Sequence, residues 1–200
     1  MHTARFSRRK SSGFGRCTLL CILLLVQGAG TSSSWGSPEQ EEIWLLVDTT
    51  NLTIQVMRGE SLLYKYDNIA IGSNGPTLSR RVQDETTPLG EFRINRLNPR
   101  SRFHLFMGID FPTMDDAARA LADGRLSPQE YVRVSNAWLA DEPPPQNTAL
   151  GGFLGIHGLG AGDEEIHGTF NWTDGCIAVT NEQIDELAQW VSVGTRVSVR

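Results

Sequence analysis

From residue 43 onward, apolar and polar positions alternate in short runs, and that rhythm predicts strands. Residues 43–47 are apolar and are followed by the polar turn Asp48-Thr49-Thr50-Asn51. Residues 52–57 alternate with period two, and Arg58-Gly59-Glu60 turns the chain into a further run at 62–66. Strand, turn, strand, turn, strand is the pattern of a meander. Residues 68–72 read as another short strand, 73–86 as a polar loop broken at Gly75-Pro76, and 87–90 as a turn. Strands are predicted at 91–94 and 103–111. The periodicity then lengthens. Thr113 before 114–122 and Ser127-Pro128 before 129–139 are helix starts, and Gly124 closes the first helix. Pro143-Pro144-Pro145 breaks the chain, 151–156 reads as a glycine-rich strand and 177–179 as a short one. Thr180 or Asn181 caps a helix running to Trp190, with Ile184, Leu187 and Val191 on one face. Gly194 ends it, and 195–199 is a last strand. The pattern predicts a mainly β domain with a helical insertion at about 113–140 and one late helix.

The first residues follow a different rule. Arg8, Arg9 and Lys10 precede an apolar stretch from Cys17 to Val26, and Gly28-Ala29-Gly30 follows it. A basic start, a short apolar run and small residues at its end read as a secretory signal peptide over 1–30. The run is shorter than the roughly 20 residues that a transmembrane helix needs, so no stable membrane insertion is expected after cleavage. Residues 31–42, with Ser32-Ser33-Ser34 and several acids, read as a flexible linker. Residues 43–200 remain as one domain, long enough for its own core. Export is the expectation.

The whole chain carries a formal net charge of −5, and residues 1–30 hold five Lys/Arg and no Asp/Glu. The remainder is therefore more acidic still. That speaks against nucleic acid, whose binding rests on phosphate neutralisation, and against anionic membrane surfaces.

Of three cysteines, Cys17 and Cys21 lie in the apolar N-terminal run, which leaves Cys176 alone in the domain. A lone cysteine in an exported domain has no internal disulfide partner, so it is a small buried hydrophobe or a reactive thiol. His157, nineteen residues upstream in Ile156-His157-Gly158, is a candidate base. A cysteine and a histidine brought together by a fold make a nucleophile and its proton acceptor. A second Ile-His-Gly word contains His167. Fifteen residues separate His157 from Thr173, against five for His167.

Taken together, Ile156-His157-Gly158, the spacer, Trp172-Thr173-Asp174-Gly175-Cys176-Ile177 and Asn181 resemble the signature of the L,D-transpeptidase (YkuD-like) catalytic domain. Thr87-Pro88-Leu89-Gly90-Glu91-Phe92 is similar to that family's Thr-Pro-x-Gly-x-Phe/Tyr turn, and 43–72 to its opening strands. The resemblance covers about 43–200. It implies a β barrel or sandwich, no cofactor and no metal, and a peptidoglycan enzyme of the bacterial envelope or periplasm. Cys176 would attack a stem-peptide carbonyl, release the terminal D-alanine, and pass the acyl group to an amine of a second stem or to water. A lysine of an outer-membrane protein is a further acceptor that the resemblance allows. It also implies that His157 is the base, oriented by the Gly158 carbonyl, and that the Gly175 and Cys176 amides hold the oxyanion.

The chain departs from the common Ser/Thr-His-Gly-Cys-Ile-Arg pattern. Asp174 stands where that pattern has histidine, and Ala178 where it has arginine. An anion near the thiol would raise its pKa. Arg80, Arg81 and Arg102 are candidates for the missing cation. Asp174, His167, Thr173 and Trp172 are expected to line the site, and 103–146 to form a lid over it. Three other readings stay open. One is a carboxypeptidase or amidase using the same thiol. Another is a zinc hydrolase using His157, His167 and Cys176 or Asp174, although the spacing matches no compact zinc motif. The last is a wall-binding module without turnover.

Overall fold

The computed structural model describes residues 42–200. The signal peptide and nearly all of the linker expected from the sequence lie outside the described residues. The described residues form ten strands and four helices: β1 Ile43–Asp48, β2 Thr53–Arg58, β3 Ser61–Tyr66, β4 Pro76–Thr77, β5 Thr87–Pro88, β6 Gly90–Ser101, β7 His104–Ile109, α1 Met114–Ala122, α2 Pro128–Leu139, β8 Gly155–His157, α3 Glu164–His167, β9 Ile177–Ala178, α4 Asn181–Leu187 and β10 Arg196–Val199. Eight of the strands form one mixed sheet in the order β3-β2-β1-β10-β6-β7-β8-β9, while β4 and β5 pair separately.

The mainly β expectation holds, but the barrel does not close. Edge strands β3 and β9 do not pair with each other. The chain after β3 returns instead, and Ala70 makes an isolated antiparallel bridge to Ala178. Residues 68–72 are therefore two bridges rather than a strand, and β5 takes up part of the turn expected at 87–90.

Residues with strong local signals adopt the elements predicted for them. In β2, Ile54 and Val56 alternate inward and are fully buried, as period two requires of a sheet with one covered face. Leu45 and Val47 of β1 and Val197 and Val199 of β10 complete this core from adjacent strands. α1 and α2 each begin with a capping box, Thr113 with Asp116 and Ser127 with Glu130, which satisfies N–H groups that have no partner within the helix. Thr180 and Gln183 do the same for α4. Ala117, Ala120, Leu126 and Val134 from the helical insertion are buried in the main core. Each large apolar side chain buried in this way contributes about 1.5–3 kcal/mol.

The β7-β8-β9 end of the sheet sets the geometry that matters next. β7 and β8 run antiparallel with Phe106 opposite His157, Met107 opposite Ile156 and Gly108 opposite Gly155. β8 and β9 run parallel with Ile156 beside Ile177 and His157 beside Ala178. Successive side chains point to opposite faces of a sheet. Met107, Ile156 and Ile177 therefore share the core face, and Phe106, His157 and Ala178 share the other.

Candidate active site

Extending the β8–β9 register back by one residue sets Cys176 beside Gly155, on the same sheet face as His157 and diagonal to it. On its other side, against β7, β8 packs this closely because Gly155 has no side chain. A Cβ there would sit 2.2 Å from the Met107 carbonyl oxygen.

His157 is buried among aromatics. Phe103 stacks on it at a centroid distance of 4.2 Å, Phe106 lies at 6.2 Å and Trp172 meets it edge-on at 6.1 Å. Its Nδ1 lies 2.7 Å from the Gly158 carbonyl oxygen. A carbonyl can only accept, so Nδ1 carries the proton and Nε2 is left with its lone pair. Burial holds the His157 pKa below its ordinary value; the Gly158 bond opposes this, and the Arg102 charge adds to the lowering. The imidazole is therefore neutral at pH 7, the form that can accept a proton.

Gly158 is as constrained as Gly155, since a Cβ there would meet Asn181 Oδ1 at 2.7 Å. Asn181 in turn clamps the following loop through both hydrogen bonds to Gly160, each 2.9 Å.

Cys176 sits at the end of a turn fixed by hydroxyls. Thr173 Oγ1 accepts from the Gly175 N–H at 3.1 Å and donates to the Cys176 carbonyl at 2.6 Å. Thr87 Oγ1 donates to the Gly175 carbonyl at 3.1 Å and accepts from the Gly72 N–H at 2.8 Å. The Thr-Pro motif thus acts as a brace beneath the cysteine turn.

Arg80, on the loop between β4 and β5, is buried below the same turn. Its guanidinium donates to the carbonyls of Thr86 and Asp174, the latter at 3.0 Å, and pairs with Asp84 at 3.3 Å. Of the arginines considered from the sequence, Arg80 is the one placed beneath Cys176. Ala178 is buried against Ala70 instead, with backbone bonds of 2.8 and 2.9 Å.

Burial pushes the Cys176 thiol up to about 11, a Gly155 N–H and the Arg80 cation pull it down, and Asp174 adds only the smallest upward push. Asp174 is exposed. The anion that the sequence singled out is therefore a minor influence, and desolvation is the main one. The thiol hydrogen points at the Phe153 carbonyl, with Sγ 3.7 Å from the oxygen. Phe153 holds a left-handed backbone with φ of 56° and an exposed ring, a conformation that costs about 1–3 kcal/mol.

A thiol near 11 beside a neutral imidazole predicts an S–H and a free base at rest, not a preformed thiolate–imidazolium pair. The rate of iodoacetamide alkylation at Cys176 is accordingly expected to keep rising with pH through pH 9. A plateau reached below pH 7 would show the ion pair instead.

A cleft of about 500 Å³ opens over Cys176 and is also lined by Asp174, Phe103, Phe106 and Phe153. Of the expected lining residues, only Asp174 is on its wall. Trp172 packs against His157, Thr173 is buried within the turn, and His167 is buried on α3, with Nδ1 accepting from Trp172 Nε1 at 3.4 Å. No residue of 113–140 lines the cleft. That part of the expected lid is core, because its apolar faces pack inward. Among the described residues, no three His, Cys, Asp or Glu side chains converge as a metal site requires.

The sequence reading passed over Phe153 and the stacking role of Phe103, and took Thr87 only as part of a turn. The Thr-Pro motif was the one available signal for the brace. Stacking and a left-handed phenylalanine leave no periodic trace.

A family model described as the L,D-transpeptidase catalytic domain matches residues 42–199. No match exists among curated proteins. Among solved structures, the chain is similar to Bd1075 of Bdellovibrio bacteriovorus at 16% identity and a TM-score of 0.51, covering 80% of this chain and 48% of that one. It is also similar to the helical cell shape determining protein Pgp2 of Campylobacter jejuni, at 18% identity and a TM-score of 0.51, covering 81% and 48%. At these identities the likeness is one of fold. The chain spans about half the length of each of these two proteins.

Proposed function

Because the chain belongs to the L,D-transpeptidase catalytic domain family, we propose that it is a thiol acyltransferase acting on peptidoglycan stem peptides. The observation that carries this reading is the His157 Nδ1 bond to the Gly158 carbonyl, which leaves a basic nitrogen on the sheet face shared with Cys176. In the proposed reaction, His157 Nε2 takes the thiol proton as Sγ attacks the donor carbonyl. The C–N bond then breaks, and the proton passes to the departing amine of D-alanine, leaving a thioester on Cys176. An acceptor amine or water attacks the thioester carbonyl, the C–S bond breaks, and the sulfur is reprotonated. The oxyanion needs backbone donors. The Gly175 N–H is held by Thr173 at rest, so that donor has to be released as the substrate enters. No metal or cofactor takes part in the proposed cycle. Residues 1–30 as an export signal, 43–200 as the catalytic domain, and action in the cell envelope belong to the same proposal. Among the described residues, no helix is long and apolar enough to cross a membrane.

The test is intact-protein mass spectrometry of residues 36–200 incubated with disaccharide-tetrapeptide. A transient adduct mapping to Cys176, together with released D-alanine, is expected. Crosslinked dimers among the products would identify a stem amine as acceptor, and tripeptides would identify water. A second reading, a wall-binding module without turnover, draws on the thiol held near 11 and directed at the Phe153 carbonyl. Substrate binding without adduct or D-alanine would select it.

A further inference from the structure

The cleft over Cys176 has a charge that the rest of the chain does not. Arg80, Arg96, Arg100 and Arg102 all line it, and Asp174 is the one acid on its wall, in a protein whose net charge is −5. Arg80 is spoken for, since its guanidinium holds the cysteine turn and Asp84. The other three are exposed; Arg100 and Arg102 sit near the tip of the β6–β7 hairpin, and Arg96 lies further back, opposite Gly108. Among the described residues none of them is in an ion pair.

Two of them are held in place by the rings that wall the site. The Arg96 guanidinium carbon lies 5.1 Å from the Phe106 centroid and 5.7 Å from that of Phe153. The Arg102 guanidinium carbon lies 4.6 Å from the Phe103 centroid. Phe103 and Phe106 flank His157, and the Phe153 carbonyl faces the thiol. Stacking fixes the plane of a guanidinium while leaving its N–H fork open, and that fork matches a carboxylate. Cations kept beside a nucleophile without protein counter-charges are available to an anionic ligand.

We propose that Arg96, Arg100 and Arg102 form a carboxylate-reading rim, which selects acyl donors carrying free carboxylates close to the scissile carbonyl. The inference rests on the thioester reading above and specifies its substrate. The rim engages carboxylates of the donor peptide through charge-assisted, partly bidentate bonds. Amidated donors lack those groups and are discriminated against. Because the rim is exposed, the preference weakens as salt screens it.

Binding can be measured apart from chemistry. The Cys176→Ala protein is titrated calorimetrically with a stem tetrapeptide whose carboxylates are free, and with the same peptide amidated, at low and high salt. The free peptide is expected to bind about 10–100-fold more tightly at low salt. Adding the triple substitution R96Q/R100Q/R102Q is expected to erase the difference. The corresponding triple lysine variant, which keeps charge but loses the fork, is expected to retain part of it. Circular dichroism checks that each variant is folded. Equal affinity for the two peptides, no binding of either, or an unchanged preference in the glutamine variant would each overturn the rim. With the wild-type thiol, equal thioester formation from both donors removes the rim and leaves the thioester chemistry standing. Absence of thioester from either donor removes the chemistry, and the titration still decides the rim.

Discussion

Cys176→Ala is expected to reduce D-alanine release by about four orders of magnitude or more and to abolish the adduct. In the proposed cycle the nucleophile and its base act as a unit, so losing either is expected to remove most of the acceleration. The loss is expected to be chemical rather than structural. Cys176 is partly buried and only packs against the edge of the core, and the turn around it is held by Thr173, Thr87 and Arg80 rather than by sulfur. An unfolding midpoint within a few degrees of wild type, with no turnover, is the expected pair of results. His157→Gln is expected to keep the fold and to slow acylation by about 10²–10⁴-fold. Turnover surviving in the alanine variant would end the thioester reading.

The other large effect is expected at Gly175. Its φ is 118°, in a region that side chains rarely enter. A Cβ there would lie 2.3 Å from Arg80 Nη1 and 2.4 Å from the Thr86 carbonyl oxygen. The arginine has little room to withdraw, since it is buried and bound to Thr86, Asp174 and Asp84. Backbone strain of about 1–3 kcal/mol and overpacking of about 1–3 kcal/mol add together. Gly175→Ala is therefore expected to destabilise by roughly 3 kcal/mol and to lower Tm by about 10 °C, with alkylation and turnover at Cys176 both disturbed. A Tm unchanged to within 2 °C, by the same scale, would mean that the turn is not held against Arg80 as described.

The two predictions draw on different amounts of sequence information. Cys176 and His157 are proposed from the sequence because an unpaired cysteine is a candidate nucleophile and the spacing to the histidine resembles that of the family. Gly175 could be picked out as part of the same motif, but its reason could not. That reason is a guanidinium arriving from a loop 95 residues earlier in the chain. Asp174 misleads in the same way. From its position it threatens the thiolate, yet its exposed side chain matters less than the burial of the sulfur. His167 repeats the word that contains His157, but it is buried on α3 against Trp172, away from the cleft wall.

Local signals settled most of the elements. The apolar run at 43–47, the period-two run at 52–57 and the run after the turn at 58–60 specified β1, β2 and β3, while capping residues and the longer apolar period specified α1, α2 and α4, because each depends on neighbours within a few positions. They also settled the mainly β class and, through the combined motifs, the family. Tertiary structure alone decided the rest. It left the sheet open, drew the 113–140 helices into the core instead of over the site, put Arg80 under the cysteine turn, and set the hairpin arginines along the wall of the cleft that opens over Cys176. All four depend on pairings between distant segments, where register and packing choose among arrangements that local sequence leaves equal.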